Sequence, residues 1–203
     1  MNGDISLGAL KDPDDARDYP FGETRIARAA RAAILPVSID LSFRAAPVKN
    51  QGNIGACVAF ACASAREFLV RALDGDSQVL YSPLYLYYRA RQIMGTLPQD
   101  SGLYTRDALK ALAQWGIPGE ATWAYNASAM NTEPDSIADN AARPRRIYSY
   151  HRLERMGLDG MRGCLAEGHP FVLSMEVFGN LRVMPLTDKF QVQPPDGQPS
   201  AGG

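Results

Sequence analysis

Histidine is scarce in this chain: His151 and His169 are the only two among 203 residues. Cysteine is nearly as rare, with Cys57, Cys62 and Cys164 making an odd, sparse set. Such a set is no disulfide framework, and with two histidines it leaves few ligands for a zinc site. No metal or cofactor is expected, and a reducing compartment, the cytoplasm, is the expected location. No apolar run approaches the roughly 20 residues that cross a bilayer, and Met1–Leu10 is too polar and glycine-bearing for a secretory signal. Charge of one sign is missing too. The chain has 21 basic and 22 acidic residues for a net charge of −1, so neither nucleic acid nor an anionic membrane is an expected partner. Asp12, Asp14 and Asp15 lack the spacing of a calcium loop. What is present is a composition of 46% hydrophobic and 21% charged residues, which belongs to a folded protein of one large or two small domains.

Along the chain, Lys11–Pro20 is charged and proline-broken and is expected to run over the surface. Ile26–Ile34 can form a short helix. Val37, Ile39 and Leu41 alternate with polar residues, which suggests a short strand. Val48–Gly55 is a loop rich in breakers. From Ala56 to Val70 the chain is apolar almost all round and free of breakers, the pattern of a buried central helix, ended by Asp74-Gly75-Asp76. Two further helices are predicted at Ser82–Met94, opened by a serine cap and a first-turn proline, and at Thr105–Trp115, closed by Gly116. A strand is predicted at Arg146–Tyr150, a helix at Asp159–Glu167 closed by Gly168, and a strand at Phe171–Val177. Pro194–Pro199 is a proline-rich loop. Helices first and strands afterwards make an α+β fold with segregated halves.

The most informative stretch is VKNQGNIGACVAFACA, Val48–Ala63. A glycine-bearing loop delivers Cys57 to the first turn of the long helix. The backbone N–H groups there and the positive end of the helix dipole favour thiolate over thiol. Gln51, six residues earlier, carries an amide donor. If the loop folds back, that amide and the Cys57 backbone N–H can converge on an oxyanion formed by thiolate attack on a carbonyl. Such a donor is worth roughly 3–4 kcal/mol in acyl transfer. Cys62 and Cys164 read as packing residues, and Tyr81, Tyr85, Tyr87 and Tyr88 as core aromatics, since no basic stripe accompanies them. The spacing of Arg25, Arg28 and Arg31 makes a solvated basic face.

At these residues the sequence resembles the papain-like cysteine peptidases, whose nucleophile lies in a Cys-Gly-Ser/Ala-Cys-aromatic motif. Gly55, Ala56 and Cys57 fit, and Pro47-Val48-Lys49-Asn50-Gln51-Gly52 is similar to the family's approach, with Gln51 in the oxyanion-hole position. Leu35-Pro36 through Asp40-Leu41 resembles the start of the mature domain. Asp100-Ser101-Gly102 resembles the glycine loop that lines the unprimed subsites. Trp115-Gly116-Ile117 and Trp123-Ala124-Tyr125 resemble the stretch closing the helical domain. Arg17-Asp18-Tyr19 is similar to the end of the short charged leaders of bacterial members. The resemblance implies a papain-like fold with a cleft between its halves: a leader at 1–35, a helical half at 36–125, and a partial β-rich half at 126–203. It implies a thiol peptidase acting on peptides or proteins. Cys57 would be the nucleophile and Gln51 an oxyanion donor, with Gly55, Ser101 and Gly102 against substrate.

Three positions depart from the family. Ile54 replaces a cysteine that secreted members pair in a disulfide, and Val58 replaces the aromatic. The family's histidine is expected about 130–150 residues after the nucleophile, which means about residues 187–207, where this chain has none. His151 and His169 fall short of that window and lack its strand context. The final Ser200-Ala201-Gly202-Gly203 resembles the small-residue run before that histidine. The expectation is therefore a member truncated before its general base, for which its own missing C-terminal continuation is a further candidate partner. The alternative is a non-catalytic module that holds peptides without cleaving them.

Overall fold

In the computed structural model the described residues are 7–16, 18–21, 35–74, 78–153, 157–177 and 197. The helix expected at Ile26–Ile34, its arginine face and the end at 198–203 lie outside them, as does most of the proline-rich loop at 194–199.

The centre is α1, Cys57–Asp74. Val58, Ala59, Cys62 and Ala63 are almost wholly buried, and their small side chains let neighbouring helices approach closely. Two helices pack on α1 and on one another. The first, α2 (Pro83–Met94), begins as expected: Ser82 caps it by accepting from the Tyr85 N–H at 3.2 Å, Pro83 takes the first turn, and Gly95 ends it at φ 68°. It is buried on nearly every side. Tyr85 and Tyr87 are fully enclosed, and so is Arg91, which spends its guanidinium on the Gln99 carbonyl, Asn131 and the Met130 carbonyl over the Tyr87 ring. The second, α3 (Thr105–Gln114), turns Ala108, Ala111 and Leu112 to the core and ends at Gly116, φ 84°. A Cβ on Gly116 would meet the Ala142 carbonyl oxygen at 2.1 Å, so this close approach needs glycine.

After Tyr125 a short helix α4 forms at Ser136–Ala142, capped by Asp135 accepting from the Ala138 N–H at 2.8 Å. The helix expected near Asp159–Glu167 is α5, Gly157–Ala166, closed by Gly168 at φ 79°.

The strand expectations are corrected. Among the described residues the one sheet is a two-stranded parallel pair, β1 (Ala9–Leu10) with β2 (Leu103–Tyr104), in register Ala9 to Leu103. Val37–Leu41, Arg146–Tyr150 and Phe171–Val177 are extended or bent but join no ladder. β propensity describes a side chain that fits a pleated surface, and a strand also needs a partner to take its N–H and C=O groups. Lys11–Pro20 runs over the surface as expected, with none of its described residues buried, while Gly8 and Phe21 on either side of it are buried. Among the described residues the architecture is α+β, with the helical layer well formed and the β layer slight. No helix among the described residues is long and apolar enough to cross a membrane.

Candidate active site

The loop before α1 folds back on itself and is pinned from several sides. The Asn50 carboxamide accepts the Gly52 N–H at 2.8 Å, and Gly52 turns the chain at φ 64°. The Gln51 side-chain amide then reaches forward and donates to the Ile54 carbonyl at 3.1 Å, three residues short of Cys57. Behind it, Lys49 pairs with the fully buried Glu67 of α1, whose carboxylate also accepts the Tyr81 N–H at 2.6 Å. Removing one partner of such a buried pair leaves a charge uncompensated, so the loop is anchored firmly to the helix. From the other side, both Asp100 carboxylate oxygens accept the Gly55 N–H, at 3.0 and 3.1 Å, and the Tyr87 hydroxyl donates to the same carboxylate.

Cys57 begins α1, half-buried, and the first intrahelical bond runs from the Phe60 N–H to the Ala56 carbonyl at 3.1 Å. The N–H groups of the first turn therefore have no acceptor inside the helix. Cys62 and Cys164 differ sharply. Both are buried, and burial pushes their thiols up, to about 12 for Cys62 and about 11 for Cys164. The packing role read for them in the sequence is what the structure has.

The close contacts next to the Cys57 loop are made by glycines. A Cβ on Gly55 would lie 3.2–3.3 Å from Asp100 and Gly102, so the nucleophile loop and the 100–102 loop are in close contact. Gly8 lies between them. A Cβ there would stand 2.0 Å from the Gly55 oxygen, and one on Gly102 (φ 70°) would stand 2.3 Å from the Gly8 oxygen. The Leu103 N–H donates to that Gly8 carbonyl at 2.8 Å, and β1 continues along β2. Backbone from the N-terminal segment thus packs directly against Gly55 and Gly102. The Ser101 hydroxyl bonds Thr96 Oγ1 at 2.8 Å and the Gly102 carbonyl at 3.1 Å.

Beyond Leu10 the same segment is tied to the start of α3. Asp12 accepts the Arg106 N–H at 3.2 Å. The Arg106 guanidinium donates to Asp18 at 2.9 and 2.7 Å, and Arg152 donates to the same carboxylate at 2.6 Å. The hydrogen bond from Arg106 above all, then that from Arg152, holds Asp18 below the usual carboxylate range, whereas burial raises Asp12. The sequence gives no sign of these pairs, since 88 positions separate Asp18 from Arg106.

Neither histidine joins Cys57. His151 is exposed, edge-on to Tyr19 at 6.4 Å, and His169 lies in the turn after α5, its carbonyl accepting the Cys164 thiol at 3.6 Å. Both border a cavity of about 900 Å³ on the face of α1 that carries Cys62, Ala65 and Leu69.

No family model matches the chain. It is 30% identical to xylellain, a cysteine protease from Xylella fastidiosa, with a TM-score of 0.69 over 80% of this chain and 63% of that one. Digestive procathepsin L 3 of the Tenebrio molitor larval midgut shares the fold, at 17% identity and a TM-score of 0.57 over 73% of this chain and 44% of that one. An uncharacterized peptidase C1-like protein of Acanthamoeba polyphaga mimivirus is 24% identical over 145 residues, 68% of this chain and 47% of the relative. The fold is therefore that of the papain-like proteins. Within that fold, the chain is related to the papain-like cysteine peptidases. It spans about half the length of the curated relative and under two thirds of xylellain.

Proposed function

We propose that the chain is the nucleophile-bearing part of a thiol-dependent peptide hydrolase working through an acyl-enzyme. Cys57 attacks the scissile carbonyl, while Gln51 and the Cys57 backbone N–H hold the oxyanion. Gly55, Ser101 and Gly102 present backbone to the extended substrate. The observation that carries this reading is the folded loop, with the Gln51 amide turned toward the start of α1 and Gly55 locked against the 100–102 groove. No step needs a cofactor.

The same base that generates a thiolate must later protonate the leaving amine. His151 and His169 border the cavity on the other face of α1, so in this reading the imidazole comes from polypeptide beyond these residues. The longer relatives agree with that reading. Residues 1–35 act as a leader, and its β1 blocks the groove. The replacement of a disulfide cysteine by Ile54 suits a reducing compartment. The placement of both histidines also favours a second reading, a module that binds peptides without cleaving them.

Assaying a fluorogenic peptide series on this chain and on Cys57→Ala tests the assignment. Slow or absent turnover is expected. Robust turnover abolished by Cys57→Ala would make His151 or His169 the base and overturn the placement of the imidazole outside this chain. Turnover that survives Cys57→Ala would overturn the thiol mechanism itself.

A further inference from the structure

Tyr125 belongs neither to α1 nor to the nucleophile loop, yet it touches both. Its hydroxyl donates to the Gln51 backbone carbonyl at 2.5 Å. Its ring meets Phe60 edge-on, with centroids 4.8 Å apart and planes at 78°, and Phe60 lies one turn along α1 from Cys57. Its own N–H donates to Glu120 at 2.7 Å, which fixes where the ring stands. Burial, then the charges of Asp100 and Glu120, push the phenol up to about 12, so the hydroxyl keeps its proton at any working pH. Residues before a cysteine motif announce themselves by spacing. Tyr125 does not, because it is 74 positions from Gln51.

An oxyanion donor gives its full effect only when it is aimed before the charge develops. In Gln51 the side chain is steered by the Ile54 carbonyl and the backbone by Tyr125. We propose that Tyr125 is a positioning residue that fastens the Gln51 peptide unit to the nucleophile helix and so holds the oxyanion donor in register with Cys57. This rests on the reading of Gln51 as that donor. It makes no claim that Tyr125 meets substrate.

A peptide aldehyde and iodoacetamide separate the two roles. With the aldehyde, the Cys57 sulfur bonds the carbonyl carbon, the C=O π bond opens, and the thiol proton ends on the new oxygen, which lies where the oxyanion would. Iodoacetamide loses iodide from a saturated carbon and makes no oxyanion. Tyr125→Phe is expected to weaken aldehyde binding about tenfold while changing the Cys57 alkylation rate less than about twofold. Gln51→Ala is expected to weaken the aldehyde at least as much, with the double variant no weaker than Gln51→Ala alone. Aldehyde affinity unchanged in Tyr125→Phe, or losses that add in full, would overturn the inference. An equal fall in aldehyde binding and alkylation would make Tyr125 a general support of the fold and overturn it as well. If Gln51→Ala leaves the affinity unchanged, or the parent chain takes up no aldehyde, the oxyanion reading fails first and the inference falls with it.

Discussion

Chemistry at a cysteine depends on what surrounds the sulfur, and the three cysteines here have three surroundings. Cys62 lies inside the helical core and Cys164 under Phe21, both with thiols raised by burial. Cys57 is half-buried at the start of α1. Limiting iodoacetamide followed by peptide mass mapping should place most of the label on Cys57, by at least about tenfold over either other site at neutral pH. Preferential labelling of Cys62 or Cys164 would sink the choice of nucleophile. The loop holding Gln51 and Gly55 and the helix that Cys57 begins were legible in the sequence because their logic is local: a glycine loop, then a cysteine, then a helix. Asp100 was legible only as part of a glycine loop. Its grip on the Gly55 N–H crosses 45 positions, and no local pattern encodes that.

Among the elements, the helices could be read in advance because each carries its own evidence. The Ser82-Pro83 start of α2, the small-residue face of α1 and the apolar stripe of α3 are properties of single segments. The strands could not, because pairing is a property of two segments. Phe171–Val177 has the composition but joins no ladder, while Ala9–Leu10 pairs with almost no composition. That short pairing yields a sharp prediction. Gly8→Ala places a methyl group where the Gly55 carbonyl already stands, so β1 should leave β2. Hydrogen exchange at residues 9–10 and 103 should quicken, and Cys57 alkylation should speed up several-fold. Unchanged exchange there would show that the groove tolerates a side chain.

The anchor beyond β1 also sets how the segment answers acid. Asp18 is depressed in the folded protein, so its contribution is present above the ordinary carboxylate value and lost only as pH falls through its lower folded value. Asp12 is raised, so its charged form opposes docking, and protonating it on acidification relieves that penalty. From about pH 8 down to about pH 5 the segment should therefore stay docked. Exchange rates at residues 9–10, corrected for the intrinsic pH effect, would test this, and release by pH 5 would show that another group controls the tether.

In the molecule as a whole, order is unequal. The helical side closes around α1, whereas the cavity of about 900 Å³ opens between α1, α3 and the run after α5. Leu173 and Met175 are 58% and 45% exposed on that run. Exposed apolar backbone that joins no ladder is open to pairing with a further strand. Amide exchange should be slow across Val58–Val70 and Leu84–Arg91 and at least about a hundredfold faster across Phe171–Val177. Equal protection of both regions in a monomer would favour the finished peptide-binding module. The class of fold was legible from the order of helices, but the thinness of the β layer was not, since composition cannot say which strands find partners.

In the proposed reading β1 fills the substrate groove as part of the same polypeptide, and this has a consequence for competition. A tethered occupant is present at an effective concentration on the order of millimolar, whatever the concentration of the protein. Dilution therefore cannot empty the groove, and a free peptide of equal intrinsic affinity would need to reach a similar concentration to displace it. A cut between Leu10 and the Asp12–Asp18 anchor would end that advantage in one step. The short β1 ribbon, left with one hydrogen-bonded register and no tether, would then dissociate as an ordinary weak ligand.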